Sequence, residues 1–379
     1  MPLQSAPSST TASPCGSDGL SARLRELHGQ LLAVVPAVDR IACVLYGEGD
    51  DLLRSFVHSS RSGTSLEAYA WKLAESPSLR RLARSGGSRV IDDIPAVVSG
   101  NSPHSRWLLE QGYRSSFTVP LLQRGGGLLG FLFFDSLRPG AFTATIQSSL
   151  QLFASLINLT IRQERTLVRA IVSSAQVARE FANLRDFETG GHLERMAHYA
   201  HLIGRELQAS HGLSDAYVEH LKLFAPLHDI GKIGIADDLL LKPGQLDGAE
   251  REQMESHVRM GVEMLEKLLG DFDLEQRQEA AMMRNVVADH HECLDGSGYP
   301  RGLKDGQISL EARIIAVADV LDALTSARPY KDPWGLEAAL DELQRLAALG
   351  KLDADCVAAL VRRRPEVAAI RERFSDSAA

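Results

Sequence analysis

Cysteine is scarce in this chain. Its 379 residues hold four, Cys15, Cys43, Cys293 and Cys356, and no two form a Cys-x-x-Cys pair. That argues against a disulfide framework and a sulfur-rich zinc site, and fits a reducing cytoplasm. Long apolar runs are missing as well: nothing approaches the roughly 20 residues that span a bilayer. Residues 1–19 are rich in Ser, Thr and Pro and lack the apolar centre of a signal peptide, so a disordered tail is expected there. Nor is positive charge in excess: 41 Lys and Arg stand against 49 Asp and Glu, a formal net charge of -8. Proteins that bind nucleic-acid polymers usually carry a basic face, so a polymer is a poor candidate partner. A small phosphorylated ligand held by a few local cations is not excluded.

What is present is ordinary globular material, 44% hydrophobic and 24% charged, in a length that suits two cores. From about 20 to 145, strand and helix signals alternate. Segments 40–46 and 52–58 read as paired strands across a turn at 47–50. Segment 66–82 reads as helix and 89–94 as a short strand. Segments 117–122 and 128–134, joined through three glycines, read as a hairpin.

From about 144 to 182 the periodicity becomes helical. Ala154, Ile157, Ile161, Glu164, Val168, Ile171, Ala175, Ala178 and Ala182 recur in alternating steps of three and four, the stripe of a two-stranded coiled coil. This predicts a signalling helix that pairs two copies of the chain. From about 186 onward helix follows helix, at 194–208, 215–227, 248–269, 274–290, 310–325 and 336–346, with Pro, Gly or Asp between them.

Eight candidate metal ligands gather in this helical half: Glu188, His192, His228, Asp229, His257, His290, His291 and Asp319. Glu188 and His192 are four apart and would share a helix face. His228 and Asp229, adjacent near the end of an apolar helix, can flank one ion or bridge two. His257 is expected in mid-helix. Asp319 interrupts the apolar run 312–321, where an unpartnered carboxylate would be costly and a metal is the natural partner. Mixed imidazole and carboxylate donors suit Fe, Mn or Zn. Eight exceed the needs of one ion, and two or three close together would polarise a phosphate and steady its leaving oxygen. His28, His58, His104, His198, His201, His211 and His220 read as hydrogen-bonded or solvated structural residues. After His290 and His291 comes a glycine-rich turn through Asp295, Gly296, Ser297, Gly298, Tyr299 and Pro300 that could present a substrate.

Around these residues stand the stretches RDFETGGHLERM, LHDIGKIGI, LLLKPGQL, MESHVRMG, HHECLDGSGYPRGL and ARIIAVADVLDALTSARPYK. Together they closely resemble the HD-GYP family of the HD-domain phosphohydrolase superfamily. The earlier part, with VIDDI, SSFTVPLL and GGLLGFLFFDS, resembles a GAF sensory domain. The expected architecture is an α+β GAF-like domain (an antiparallel sheet with helices) at 20–145, a long linking helix at 146–185 and an all-α HD-GYP domain at 186–379.

The resemblance implies a metal-dependent phosphodiesterase that hydrolyses the bacterial second messenger cyclic di-GMP to pGpG and then GMP, with two or three divalent ions, Fe or Mn. It puts all eight ligands on family positions, Glu188 being the one associated with trinuclear members. Asp229 and Lys232 would carry the chemistry. Arg328 and Lys331 would bind phosphate. Gly298, Tyr299, Pro300 and Asp322 would meet the substrate, although Asp322 could instead support a ligand from behind. Arg313 fits a buried acid better than a substrate. Where the family often has Arg-Trp this chain has Cys293 and Leu294, and Ala236 and Ser309 replace prolines; none of these removes a ligand. Further expected partners are a small molecule at the GAF-like domain, a second copy through the linking helix, and signalling proteins. The rival readings are a receptor that binds without cleaving, a hydrolase for another nucleotide, and a sensory scaffold.

Overall fold

The computed structural model describes residues 20–61, 66, 69–100, 103–182, 190–242, 244–272, 274–275, 277–326 and 332–375. The expected tail at 1–19, Glu188, Arg328 and Lys331 lie outside them. Helix α1 (Leu20–Val34) leads into β1 (Arg40–Gly47), β2 (Leu52–Ser60) and β3 (Ala70–Lys72). Then follow α2 (Pro77–Ser85), β4 (Arg89–Ile91), α3 (Ile94–Val97), α4 (Pro103–Glu110), β5 (Ser115–Leu122) and β6 (Leu128–Ser136). The strands form one antiparallel sheet in the order β3-β2-β1-β6-β5-β4. Successive side chains of a strand point to opposite faces. In β6, Leu132 and Phe134 accordingly join Leu31 of α1 and residues further along, Leu150 and Ile157. Phe131 and Phe133 join Leu53, Leu73 and Leu82 on the other face.

The hairpins at 40–58 and 117–134 form as their alternation predicts. The helix expected over 66–82 does not. Trp71 pairs with Leu53 as an edge strand, a 3-10 turn follows at Leu73–Glu75, and α2 starts at Pro77. Pairing with β2 outweighs the local helical preference, and a proline suits the first turn of a helix rather than its middle.

Helix α5 (Ala144–Ala182) runs from the sheet into the helical half. Ala154, Ile157 and Ile161 are buried in the sheet's core, and Ile171 in the helical core. This part of the stripe expected to pair two copies is therefore covered within the chain; a heptad pattern states that an apolar stripe is covered, not by what. Among the described residues, the exposed large apolar side chains of α5 are Leu152, Leu156, Leu159 and Val177. The side chains of Glu164, Val168, Ala175, Ala178 and Ala182 lie outside the described set.

The helical half comprises α6 (Gly190–His211), α7 (Asp215–Phe224), α8 (Asp237–Leu240), α9 (Gly248–Glu255), α10 (His257–Asp271), α11 (Gln278–Asp289), α12 (Leu310–Thr325), α13 (Leu336–Ala348), α14 (Ala354–Arg362) and α15 (Arg364–Arg373). Helix α6 is central, touching α7, α12, α14 and α15. The helix expected at 248–269 is two, because Ser256 turns its hydroxyl to the carbonyl of Gln253 and the chain breaks there. His257 consequently opens α10 instead of lying in mid-helix. Helices α14 and α15 carry no long periodic run; the first starts where Asp353 accepts from the amides of Asp355 and Cys356. Among the described residues no helix is long and apolar enough to cross a membrane.

Candidate metal centre

Five elements converge on one point. Helix α7 continues through a 3-10 turn, Ala225–Leu227, into His228 and Asp229, and a second 3-10 turn, Ile230–Gly234, carries Lys232. That turn lies directly on α10, since a Cβ at Gly231 would stand 1.9 Å from the carbonyl oxygen of His257 and 2.4 Å from the amide nitrogen of Gly261. Only glycine permits this approach, and the approach brings Asp229 to His257. Helix α6 supplies His192, the end of α11 supplies His290 and His291, and α12 supplies Asp319.

Two groups result. Donor atoms of Asp229, His257, His290 and His291 lie within 4.8 Å of one another, as do those of His192, His228 and Asp319. Asp229 stands between them. Its Oδ1 is 3.1 Å from His257 Nε2 and 3.6 Å from His290 Nε2, while its Oδ2 is 3.1 Å from His228 Nε2 and 2.9 Å from Lys232 Nζ.

The other edge of each ring is tied. Nδ1–H of His228 donates to the Ala225 carbonyl and that of His257 to the Met254 carbonyl, both at 2.8 Å. His290 Nδ1–H donates to the carbonyls of Val286 and Val287 at 3.1 Å. His192 Nδ1–H donates to Asp322 Oδ2 at 2.8 Å. These partners assign the proton to Nδ1 and turn the lone pair of each Nε2 inward. Nε2 of His257, Nε2 of His290 and Oδ1 of Asp229 are buried and make no hydrogen bond. Buried acceptors are costly when unbonded, and a cation satisfies all three at once. The residues therefore fit divalent metal ions.

Charge agrees with this. Burial opposes ionisation of Asp229, but the cation of Lys232 and the imidazole of His228 outweigh it and hold the carboxyl well below the usual range. Burial pushes His290 and His291 down, so both rings stay neutral. Ionised carboxylate and neutral imidazole are the forms that bind metal.

Asp322 is turned towards His192 and Arg195. It is 2% exposed, and its oxygens accept from His192 Nδ1, from Arg195 Nε at 2.6 Å and Nη2 at 3.0 Å, and from Ser326 Oγ. Burial raises its pKa, but the hydrogen bonds from His192 and Arg195 prevail and bring it down to about 2. It orients His192 from behind. Arg195 was not singled out from the sequence; three residues beyond His192 on the same helix, it was placed to be found.

The loop after His291 is pinned from inside. Glu292, 3% exposed, accepts from the amides of Arg301 and Leu303. It too escaped sequence reasoning, although an acid directly after two ligands is a signal. A Cβ at Gly298 would come within 2.4 Å of Cys293 N and 2.5 Å of His291 O, so the loop packs on the histidine turn only with glycine there. The Tyr299 ring stacks on His291 at 4.6 Å and its amide donates to the His291 carbonyl. Pro300 is exposed. Arg313 pairs with Asp353 at 2.9 Å. His28 bridges Ser59 and the Val38 carbonyl, and His201 meets Glu219, as structural histidines do.

The chain matches the model of the HD domain over residues 176–356 and that of the GAF domain over 21–162. It is 38% identical over 303 residues to the cyclic di-GMP phosphodiesterase response regulator RpfG of Xanthomonas campestris, covering 79% of this chain and 75% of that protein. A cyclic di-GMP phosphodiesterase of Thermotoga maritima is 39% identical over 205 residues, 53% of this chain and 51% of the relative. The 3'3'-cGAMP-specific phosphodiesterase 2 of Vibrio cholerae is 36% identical over 231 residues, 60% of this chain and 42% of the relative. The chain thus spans three quarters of the first relative and about half or less of the other two. It belongs to the HD-GYP family of HD-domain phosphohydrolases and carries a GAF domain ahead of its hydrolase fold.

Proposed function

We propose that this protein hydrolyses cyclic di-GMP to pGpG, GMP or both, and that its GAF domain controls the reaction. The observation that carries the reading is the position of Asp229 between two imidazole groups whose Nε2 edges face inward. His192, His228 and Asp319 would hold one ion, His257, His290 and His291 another, and Asp229 would be shared; Glu188 would serve a third. When bound, the ions, Fe or Mn in this reading, supply Lewis acidity at phosphorus and lower the pKa of nearby water. Lys232, 2.9 Å from Asp229, offers its charge to the scissile phosphate or the leaving oxygen. Tyr299, stacked on His291, forms the wall on which a guanine can lie, with Gly298 and Pro300 shaping the turn. Arg328 and Lys331 provide a fork and a point charge for the second phosphate.

Two contacts give the GAF domain access to this site. Helix α5 packs on β5 and, further along, on the 3-10 turn that carries Lys232. Strand β2 packs on α7, which runs on to His228. A homodimer through α5 would use its exposed Leu152, Leu156 and Leu159; light scattering that gives a monomer mass at micromolar concentration would remove that part. A cytoplasmic setting accords with the unpaired Cys43, Cys293 and Cys356.

The test joins metal analysis to turnover on anaerobically purified protein, with cyclic di-GMP and 3'3'-cGAMP as parallel substrates. Two or three Fe or Mn per chain and release of pGpG or GMP are expected, with both metal load and turnover lost in Asp229→Ala. A full metal load with both dinucleotides intact would refute hydrolysis and leave a receptor. Faster cleavage of 3'3'-cGAMP would overturn the substrate assignment.

A further inference from the structure

The face of the sheet opposite α1 and α5 is partly roofed by α2, α3 and α4, leaving an open-mouthed cavity of about 640 Å³. Its charges do not cancel among the described residues. Arg40 is neutralised by Asp135, Nη1 to Oδ2 at 2.5 Å, and Ser116 donates to the remaining oxygen of that carboxylate. Arg89 lines the same cavity and is bonded only to hydroxyls, Ser78 Oγ at 2.8 Å and Thr118 Oγ1 at 3.1 Å. Its Nε is buried and makes no hydrogen bond. Burial and the charge of Arg40 bring His104 down to about 4, so this ring adds no charge. The one lining acid among the described residues, Glu75, is exposed at the rim.

Arg89 is half-buried, its hydrogen bonds go to neutral hydroxyls, and the one carboxylate whose charge reaches it, Asp135, is already paired with Arg40; an anion in the cavity would complete its compensation. One uncompensated cation calls for one negative charge, and the flat fork of donors suits a carboxylate. The remaining walls call for a planar apolar body. The His104 ring stands 5.6 Å from Tyr69 and 5.8 Å from Phe133, and Trp71, Ile94 and Leu108 complete the lining used here. We propose that this cavity binds a small aromatic carboxylate, its acid group on Arg89 and its rings along Tyr69, Trp71, His104 and Phe133, and that this molecule is the signal of the GAF domain. The signalling clause rests on the control proposed above; the binding does not.

The test is calorimetric titration of the full chain with three probes of one shape: naphthalene-2-acetate, its neutral amide, and 2-(naphthalen-2-yl)ethylamine. The acetate is expected to bind at least about tenfold more tightly than the amide, and the amine not at all. Arg89→Gln should abolish the preference and Arg89→Lys keep it. Equal affinity for acetate and amide, preference for the amine, a preference that survives Arg89→Gln, or no binding of any probe at millimolar concentration would each overturn the proposal. The wild-type series decides even where a variant does not fold. Binding is read without turnover, so failure of the hydrolase reading leaves this result standing. Bound acetate that leaves dinucleotide turnover unchanged would keep the site and remove the signalling clause.

Discussion

Replacing Asp322 separates support of a metal ligand from contact with a substrate. The carboxylate fixes His192 through Nδ1 at 2.8 Å and is itself gripped by Arg195 at 2.6 and 3.0 Å. Asp322→Asn keeps the volume but offers one oxygen and no charge to three donors. Loss of such a partner behind a ligating histidine typically weakens metal binding by about 10–100-fold, or ~1.4–2.7 kcal/mol. Asp322→Ala also leaves the 4% exposed Arg195 without its carboxylate, and breaking a buried pair from one side costs about 3–5 kcal/mol of stability. Manganese titration of metal-free protein should show the weaker affinity in both variants, and urea unfolding the larger stability loss in the alanine variant. At saturating metal the Michaelis constant should stay near that of the wild type. A raised Michaelis constant with unchanged metal affinity would refute the positioning role and return Asp322 to the substrate.

Two further outcomes follow from packing and from charge. Gly231→Ala forces a methyl into the backbone of α10, 1.9 Å from the His257 oxygen; a loss on the order of 3 kcal/mol in urea unfolding, with reduced metal content, is expected, and wild-type values for both would disprove the contact. For His104, burial and Arg40 lower the folded pKa from 6.5 to about 4, with Asp135 opposing and Arg89 adding to the effect. The unfolded chain then binds more protons between these values, so stability is full above pH 6.5 and falls as pH drops towards 4, by about 2–3 kcal/mol at pH 4.5. His104→Phe should lose less stability than the wild type between pH 7 and 4.5; equal losses would show that His104 is not the group responsible.

Much of the molecule was legible in the chain because short-range physics writes it. Alternation and turn glycines gave the hairpins at β1–β2 and β5–β6. The apolar run through α12 gave a buried helix, and the isolated Asp319 in it marked a site. Ligand types were legible for the same reason, since adjacent His228 and Asp229, or His290 and His291, have no comparable use in an apolar core. Pattern failed where a distant partner decided. Within segment 66–82, Ala70–Lys72 became an edge strand because β2 offered an edge, and the stripe residues Ala154, Ile157 and Ile161 of α5 were covered by their own sheet.

The sequence by itself indicated the two folds and named the imidazoles and carboxylates that the structure gathers. Only the tertiary structure decided which donors face each other, because residues from α6, α7, α10, α11 and α12 are separated along the chain and meet through packing. It set Asp229 between the two imidazole groups, through a turn that only Gly231 allows against α10. It set Asp322 behind His192, and it brought out Glu292 and Arg195, whose contacts exist only once the chain has folded around them. It also left Arg89 on a cavity wall with hydroxyls as its hydrogen-bond partners among the described residues. Periodicity cannot state such an imbalance, because charge compensation depends on distance in space and not on spacing in the chain.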